Sequence, residues 1–212
     1  MNKIEISDSS PLVDWAPIFE AWINEIDKSI ITSSGLEAAY VHAEQANTTL
    51  FSHAALNCGL SVILELLGGK RSDRGDARLD LCIFSRNTID LVESKFAEFE
   101  IESHPRPTIL KSRIDRALDE VARYENNSSR IFSSGRKIRR VGLCFISPFT
   151  NKEEFIDNSN LDRLLTYIRD YIRPDAIAWT FPESSKGFKY WGRTHPGVIV
   201  FAKALVDSGN SP

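Results

Sequence analysis

Three charged residues near the middle of the chain have types and a spacing that suit a divalent-metal site. Asp80 lies near the start of the apolar segment 78–84, and Glu93 and Lys95 lie near the end of the apolar segment 89–96. Burying acids and a lysine in such strands costs desolvation free energy. Packing alone therefore does not explain why charged residues occur there. The pattern of an Asp, twelve residues and then Glu-x-Lys therefore suggests a metal site with a lysine beside it.

These two segments must be neighbours in space if the three residues are to meet. Only the four residues 85–88 separate them, so we expect an antiparallel hairpin. Pairing in that hairpin can bring Asp80 beside Glu93. Side chains two apart on a strand share a face, so Glu93 and Lys95 should project together, whereas Asp90 should face away from them.

The rest of the chain predicts the elements that hold this hairpin. An apolar stripe at helical spacing predicts a helix over 14–31 with Asp14 as its N-cap, and a capping-box pattern of Ser34 and Glu37 predicts a second helix over 36–57. The other predicted elements are strands at 60–67, 138–149, 176–181 and 197–205, helices at 108–124 and 161–172, a loose arm at 1–13 and a frayed tail at 207–212.

Helical and strand patterns interleave, and the near-continuous apolar strands indicate a sheet covered on both faces, that is, an α/β fold. A helix, a three-stranded meander, a helix and a strand, with Asp on the second strand and Glu-x-Lys on the third, resembles the PD-(D/E)XK, or restriction-endonuclease-like, nuclease superfamily. The resemblance covers residues 36–147; Leu79 stands where the motif has proline, which is a common departure. It implies a single domain over 1–212 with a mixed central sheet flanked by helices, an extra N-terminal helix within 1–33 and a strand–helix–strand extension over 148–206.

The resemblance also implies the roles of the site residues. Asp80 and Glu93 would hold Mg²⁺ or Mn²⁺ together with the Ser94 carbonyl, because Mg²⁺ takes one or two carboxylates plus waters and phosphate oxygens. The ion would polarise a phosphate oxygen and acidify a bound water. Lys95 would orient that water or help to take its proton, and would counter charge in the transition state. Glu44, in the helix before the meander, could hold the metal shell or a second ion.

Each of these residues has an alternative interpretation. Glu93 and Lys95 could be an ion pair where a strand reaches water. Glu44 could be an exposed helix carboxylate, and Glu65, at the end of the first meander strand, could join the site.

The function implied by the resemblance is hydrolysis of phosphodiester bonds in nucleic acid, DNA more than RNA, by a metal-dependent nuclease. It also allows a homodimer, because many such nucleases pair two sites to cut two strands. The first alternative is a catalytically silent relative that binds nucleic acid or protein. The second is an unrelated α/β protein in which the motif arose by chance.

Charge excludes a broadly basic nucleic-acid binder, because the net charge is −3. Residues 126–152 contain no acid, however, and include a basic cluster that could contact the phosphate backbone. The alternative is a solvated loop and strand edge. The expected nucleic-acid contacts are Arg130, Arg136, Lys137, Arg139 and Arg140.

The remaining composition is typical of a soluble protein. The three cysteines lie beside apolar residues without metal-ligand spacing, which favours buried reduced thiols in a cytoplasmic protein. No segment is apolar enough for a membrane helix or a signal peptide. The four histidines form no set, so we expect neither a zinc site nor a nucleophilic triad.

Overall fold

Nine strands and four helices are defined in the computed structural model, which describes residues 2–33, 35–71, 75–102, 107–124, 135–151, 158–185 and 187–206. The strands are β1 (Asn2–Ile6), β2 (Ser61–Arg71), β3 (Gly75–Phe84), β4 (Thr88–Glu100), β5 (Lys137–Phe149), β6 (Ala176–Thr180), β7 (Lys189–Tyr190), β8 (Arg193–Thr194) and β9 (Val198–Val206). The helices are α1 (Ala16–Thr32), α2 (Glu44–Asn57), α3 (Pro107–Ala122) and α4 (Asn158–Tyr167), which a π-helical turn, Ile168–Ile172, continues.

Seven of the strands form one mixed sheet in the order β1-β6-β9-β5-β4-β3-β2. The pairs β2–β3 and β3–β4 are antiparallel, and β4 and β5 are parallel with α3 between them in the chain. The strand β9 pairs antiparallel with both β5 and β6, and β1 pairs antiparallel with β6. This arrangement confirms the α/β class and the mixed central sheet.

The period of two along each strand divides the core into layers on the two faces of the sheet. On β5, Val141, Leu143 and Phe145 pack in the cluster that contains the buried faces of α1 and α2. Cys144 and Ile146, which alternate with them along the strand, pack in the cluster that contains α3 and α4. Helices therefore cover both faces, as the apolar strands predicted.

The N-terminal residues form a strand, so the prediction of a loose arm over 1–13 was wrong. Ile4 of β1 lies opposite Ala178 of β6, at the edge of the main sheet. The prediction of Asp14 as a helix cap was also wrong. Helix α1 begins at Ala16, and Asp14 lies in the preceding 3-10 turn, where its carboxylate accepts hydrogen bonds from Arg139.

Helix α2 begins eight residues later than predicted, at Glu44 instead of residue 36. The buried Tyr40 lies in a 3-10 turn and donates a hydrogen bond to the carbonyl of His195. Asn47 donates to the carbonyls of Tyr40 and Ala43, which holds this turn against the start of the helix. The capping box is therefore absent: Ser34 lies outside the described residues, and Glu37 contacts His42 before the helix starts.

The remaining predicted helices and strands are present with ends shifted by a few residues, and the tail 207–212 lies outside the described ranges. Cys82 and Cys144 are buried thiols and Cys58 is half-buried, and all three are free. None of the described helices combines the length and the apolar character that crossing a membrane requires.

His195 makes the stability of the fold depend on pH. Its ring is fully buried, Nδ1 lies 2.8 Å from Ser147 Oγ, and burial together with the charge of Arg193 lowers its pKa to about 4. The unfolded chain binds this proton near pH 6.5, so the stabilisation is complete above pH 6.5 and is lost as the pH falls toward 4. We expect a loss of about 2–3 kcal/mol over this range.

Urea unfolding at pH 7 and pH 5 measures the larger part of this loss, and His195→Asn, which cannot titrate, should reduce the difference between the two values. His53→Asn is the matched control, since His53 is exposed on α2. Equal pH dependence in His195→Asn and in His53→Asn would contradict the assignment.

Candidate active site

The site lies where β3 and β4 separate. Among the described residues, their ladder runs from the pair Phe84–Ile89 to the pair Leu81–Val92. Beyond this point, side chains satisfy the backbone of β4. The N–H of Ser94 donates to Asp80 Oδ2 at 2.7 Å, and the N–H of Phe96 donates to Glu44 Oε2 at 3.1 Å. Two carboxylates thus replace the strand that would otherwise pair with β4.

Asp80 and Glu44 lie on the side of the sheet that α2 covers. The Ser94 hydroxyl also donates to Asp80 Oδ2, at 2.8 Å, and lies 2.7 Å from Thr48 Oγ1 on the first turns of α2. These contacts fix the Asp80 carboxylate against β4 and against the start of α2.

Glu93 and Lys95 point to the opposite side of the sheet, toward α3. Lys95 Nζ lies 2.9 Å from Glu93 Oε1 and 3.0 Å from Glu120 Oε2 of α3, and it donates to the Ser94 carbonyl at 2.7 Å. Glu44 Oε1 lies 3.9 Å from the same ammonium, across the gap between the strands. Lys95 is only 5% exposed, so these contacts are shielded from solvent.

A glycine brings α3 close enough for this contact. Gly142 of β5 pairs with Glu93 of β4, and its missing Cβ would lie 3.1 Å from side-chain atoms of Ile114 and Leu118. Helix α3 therefore packs directly on the strand next to Glu93, and Glu120, farther along the same helix, reaches Lys95.

Excess negative charge around Lys95 shifts the pKa values of Glu93 and Glu120. Burial, a hydrogen bond with Glu120 and the charge of Asp80 raise the pKa of Glu93 to about 8. Although burial opposes it, hydrogen bonds from Glu93, Arg116 and Lys95 hold the pKa of Glu120 below its usual range. The two carboxyls therefore share one proton at neutral pH, and their titration belongs to the pair.

Lys95 remains protonated in this surrounding. Burial alone would lower its pKa, but the hydrogen bonds to Glu93 and Glu120 and the charges of Glu93 and Glu44 raise it above the usual value. Burial also raises the pKa of Glu44. A protonated Lys95 suits an electrostatic role better than the role of a proton acceptor.

We call the point where β3 and β4 separate the fork. A cavity of about 640 Å³ opens beside it, on the side of the sheet that α2 covers. Asp80, Ser94, Glu44 and Thr48 line one part of it, and Glu65 of β2 lines another. Glu65 has a φ of +50° and accepts a hydrogen bond from Arg78. Its partly exposed carboxylate thus faces the same cavity as Asp80.

The donors at the fork fit a hard divalent cation in type and in charge. All of them are oxygens: the carboxylates of Glu44, Glu93 and Glu120 surround the ammonium of Lys95, and the Asp80 carboxylate accepts hydrogen bonds from the adjacent Ser94. Within the described ranges, no group of three or more His, Cys, Asp or Glu side chains is arranged to hold a metal ion. Mg²⁺ needs only one or two carboxylates because it keeps most of its waters.

Sequence analysis missed Glu120 and Thr48. The signal for Glu120 is its place beside the buried stripe of α3, next to Val121 and three residues after Ala117. Its i,i+4 partner Arg116, 2.8 Å away, made the pair resemble a solvent-exposed helix contact.

The basic residues of β5 do not form one nucleic-acid contact surface, and the prediction for Arg139 was wrong. Arg139 is 3% exposed and makes two hydrogen bonds to Asp90, at 2.6 and 2.7 Å, so its charge is used inside the protein. Asp90 faces away from Glu93, as predicted, and also accepts from Trp15 Nε1.

The other basic residues predicted to contact nucleic acid do not share one surface. Arg140 is half-buried and, as the next residue of the strand, points to the face opposite Arg139. Arg136 and Lys137 are exposed, and Arg130 lies outside the described residues. Arg136 and Lys137 thus remain the accessible cations of the predicted set within the described part.

Comparisons with protein-family models, with curated proteins and with solved structures found no match to this chain.

Proposed function

We propose that this protein is a metal-dependent nuclease with a restriction-endonuclease-like core, which hydrolyses phosphodiester bonds of nucleic acid, DNA in preference to RNA. The observation that carries the proposal is the fork between β3 and β4. There Glu93, Glu120 and Glu44 lie around the buried ammonium of Lys95, and Asp80 is bonded to the adjacent Ser94 beside an open cavity. Packing does not require this concentration of charge, and it costs desolvation free energy.

The topology around the fork supports the same proposal. Helix α2, the antiparallel strands β2, β3 and β4, helix α3 and the parallel strand β5 follow in the order that the resemblance implies. Asp80 lies on the second strand of this meander, and Glu93 and Lys95 lie on the third.

In the proposed mechanism, Asp80 and Glu93 would hold one Mg²⁺ from opposite sides of the gap between β3 and β4, with the Ser94 carbonyl between them. When bound, the ion polarises a phosphate oxygen and acidifies a bound water. Lys95 stays protonated and stabilises the negative charge that develops on the phosphate during attack. Glu120 and Glu44 hold that ammonium in place.

Two isosteric variants test the proposal without removing the hydrogen bonds of the site. In Asp80→Asn the amide oxygen can still accept from Ser94, and in Glu93→Gln the amide can still bond to Lys95 and Glu120. We expect each variant to lower Mg²⁺-dependent cleavage of single-stranded and duplex DNA by about 100-fold or more, while thermal unfolding changes little. Cleavage of labelled oligonucleotides and circular dichroism melting measure the two effects.

Asp115→Asn is the matched control, because Asp115 is an exposed carboxylate of α3 that pairs with Lys111. It should cleave as the wild type does. Undiminished cleavage by both site variants would contradict the proposal. If the wild type binds DNA but does not cleave DNA or RNA with Mg²⁺ or Mn²⁺, the silent binding module is the better description.

A further inference from the structure

The most exposed aromatic side chain of the described residues lies at a position that folding does not favour. Trp191 is 87% exposed, whereas Trp15, Trp22 and Trp179 are at most 2% exposed. Trp191 and Gly192 form the two-residue turn between β7 and β8, because Tyr190 pairs with Arg193. Both turn residues have positive φ values, +52° and +75°, as in a type I′ hairpin turn.

Hairpin stability does not account for tryptophan at this position. The first central residue of a type I′ turn is best filled by Asn, Asp or Gly, since a bulky side chain is disfavoured at positive φ. An indole that is almost fully exposed gains no burial to offset this strain. Strained residues of this kind cluster at ligand-binding sites.

The hairpin is held firmly at its base. Arg193 Nη1 lies 2.8 Å from Glu98 Oε2, and the Arg193 guanidinium lies 4.4 Å from the centre of the Phe149 ring. The Thr194 N–H donates to the Thr150 carbonyl. An indole on such a base is preorganised, so binding a flat ligand costs little conformational entropy.

The anchors place the hairpin near the candidate active site. Glu98 lies on β4 four residues after Ser94 and on the same face, about 13 Å along the strand. The Tyr190 ring contacts the His42 ring, with centroids 5.1 Å apart, and His42 lies two residues before Glu44. The indole is therefore displayed on the side of the sheet where the cavity opens.

We propose that Trp191 stacks on an unpaired base of a single-stranded nucleic acid that enters the active-site cavity. This proposal rests on the proposed function and assigns its substrate class. Bases stack on exposed aromatic side chains with little sequence preference, and only an unpaired or terminal base offers a free face. Lys189, which is exposed next to the turn, adds a positive charge that suits a phosphate backbone.

Trp191→Asn separates binding from folding, because it creates an Asn-Gly turn that the hairpin geometry favours. We expect this variant to melt at or above the temperature of the wild type and to bind a single-stranded oligothymidylate about tenfold or more weakly. Trp191→Phe should keep most of the affinity. Tyr171→Ala, which removes another exposed aromatic ring, should bind as the wild type does.

Intrinsic fluorescence gives a direct readout, since three of the four tryptophans are buried. With EDTA present to prevent cleavage, saturating oligothymidylate should protect the indole of Trp191 from acrylamide, and a blunt duplex should protect it less. Equal affinity of Trp191→Asn and the wild type, or an indole that stays accessible to acrylamide, would overturn the proposal. Protection by vesicles of anionic phospholipid but not by the oligonucleotide would also overturn it.

The two proposals can fail separately. Binding that depends on Trp191 without any cleavage supports stacking and contradicts the nuclease. Cleavage that depends on Asp80 and Glu93, with affinity independent of Trp191, supports the nuclease and contradicts stacking.

Discussion

Replacing Arg139 by Met should destabilise the protein by about 3–5 kcal/mol, because it leaves the buried carboxylate of Asp90 without its cation. The guanidinium makes two hydrogen bonds to Asp90 and two to Asp14, and Asp90 is 2% exposed. In a chain of this size the loss corresponds to a fall of about 10 °C in melting temperature. Differential scanning calorimetry at pH 7 measures it.

A second substitution shows whether the unpaired charge causes the loss. The double variant Arg139→Met, Asp90→Leu removes both buried charges, so it should recover more than half of the lost stability. Recovery should be incomplete because Trp15 Nε1 then loses its acceptor. Asp14 needs no replacement, since its side chain is 47% exposed and can be solvated.

Lys137→Met is the matched control, two residues earlier on the same face of β5 and exposed. It should leave the melting temperature almost unchanged. If Arg139→Met melted like Lys137→Met and only bound DNA more weakly, Arg139 would be a nucleic-acid contact and the description of a buried ion pair would be wrong.

Arg139 and Arg140 show what sequence analysis lacked at the basic cluster. Adjacent side chains of a strand point to opposite faces. Arg139 and Arg140 could therefore not belong to one continuous basic patch on the predicted strand. Which face is buried, however, depends on the 3-10 turn before α1, which supplies Asp14 and Trp15 and lies more than a hundred residues before Arg139 in the chain.

The alternation of side chains along a single strand was enough to predict how the site residues of β4 are oriented. Glu93 and Lys95 share a face because they are two residues apart, and Asp90 faces away because it is three residues from Glu93. The orientation of Asp80 depends instead on contacts with another strand. Its carboxylate turns toward α2 and accepts hydrogen bonds from the N–H and the hydroxyl of Ser94.

Contacts between distant segments were the least predictable. Strand β1 has only five residues and pairs with β6, whose partner residues come 170 or more positions later. Short segments with partly polar sequences resemble loops until a partner edge is known. Glu120 was missed for a similar reason: its approach to Lys95 requires the close packing of α3 on Gly142.

Replacing Lys95 by Met should also destabilise the protein, in a way that depends on pH. The ammonium lies within 4 Å of Glu93, Glu120 and Glu44, so its removal leaves three carboxylates without a central cation. We expect a loss of about 3 kcal/mol at pH 8, the lower end for a broken buried ion pair, because Glu44 is partly exposed. Urea unfolding at a series of pH values measures this loss.

The sign of the pH dependence follows from the carboxylates. Without Lys95 the pKa values of Glu93 and Glu44 in the folded protein rise further above those of the unfolded chain, and the pKa of Glu120 loses part of what holds it down. Such groups favour folding when protonated, and this contribution is lost as the pH rises through the raised pKa. The difference in stability between Lys95→Met and the wild type should therefore shrink as the pH falls from 8 to 5. His195 titrates in both proteins, so its effect cancels in this difference.

Lys111→Met is the matched control, because Lys111 pairs with one exposed carboxylate on α3. Its stability relative to the wild type should vary little with pH. If the loss in Lys95→Met were the same at pH 5 and pH 8, lost packing of the lysine side chain would explain it better than unpaired carboxylates. Under the proposed function, millimolar Mg²⁺ should raise the melting temperature of Lys95→Met more than that of Lys111→Met, because the ion replaces the missing positive charge among the same oxygens.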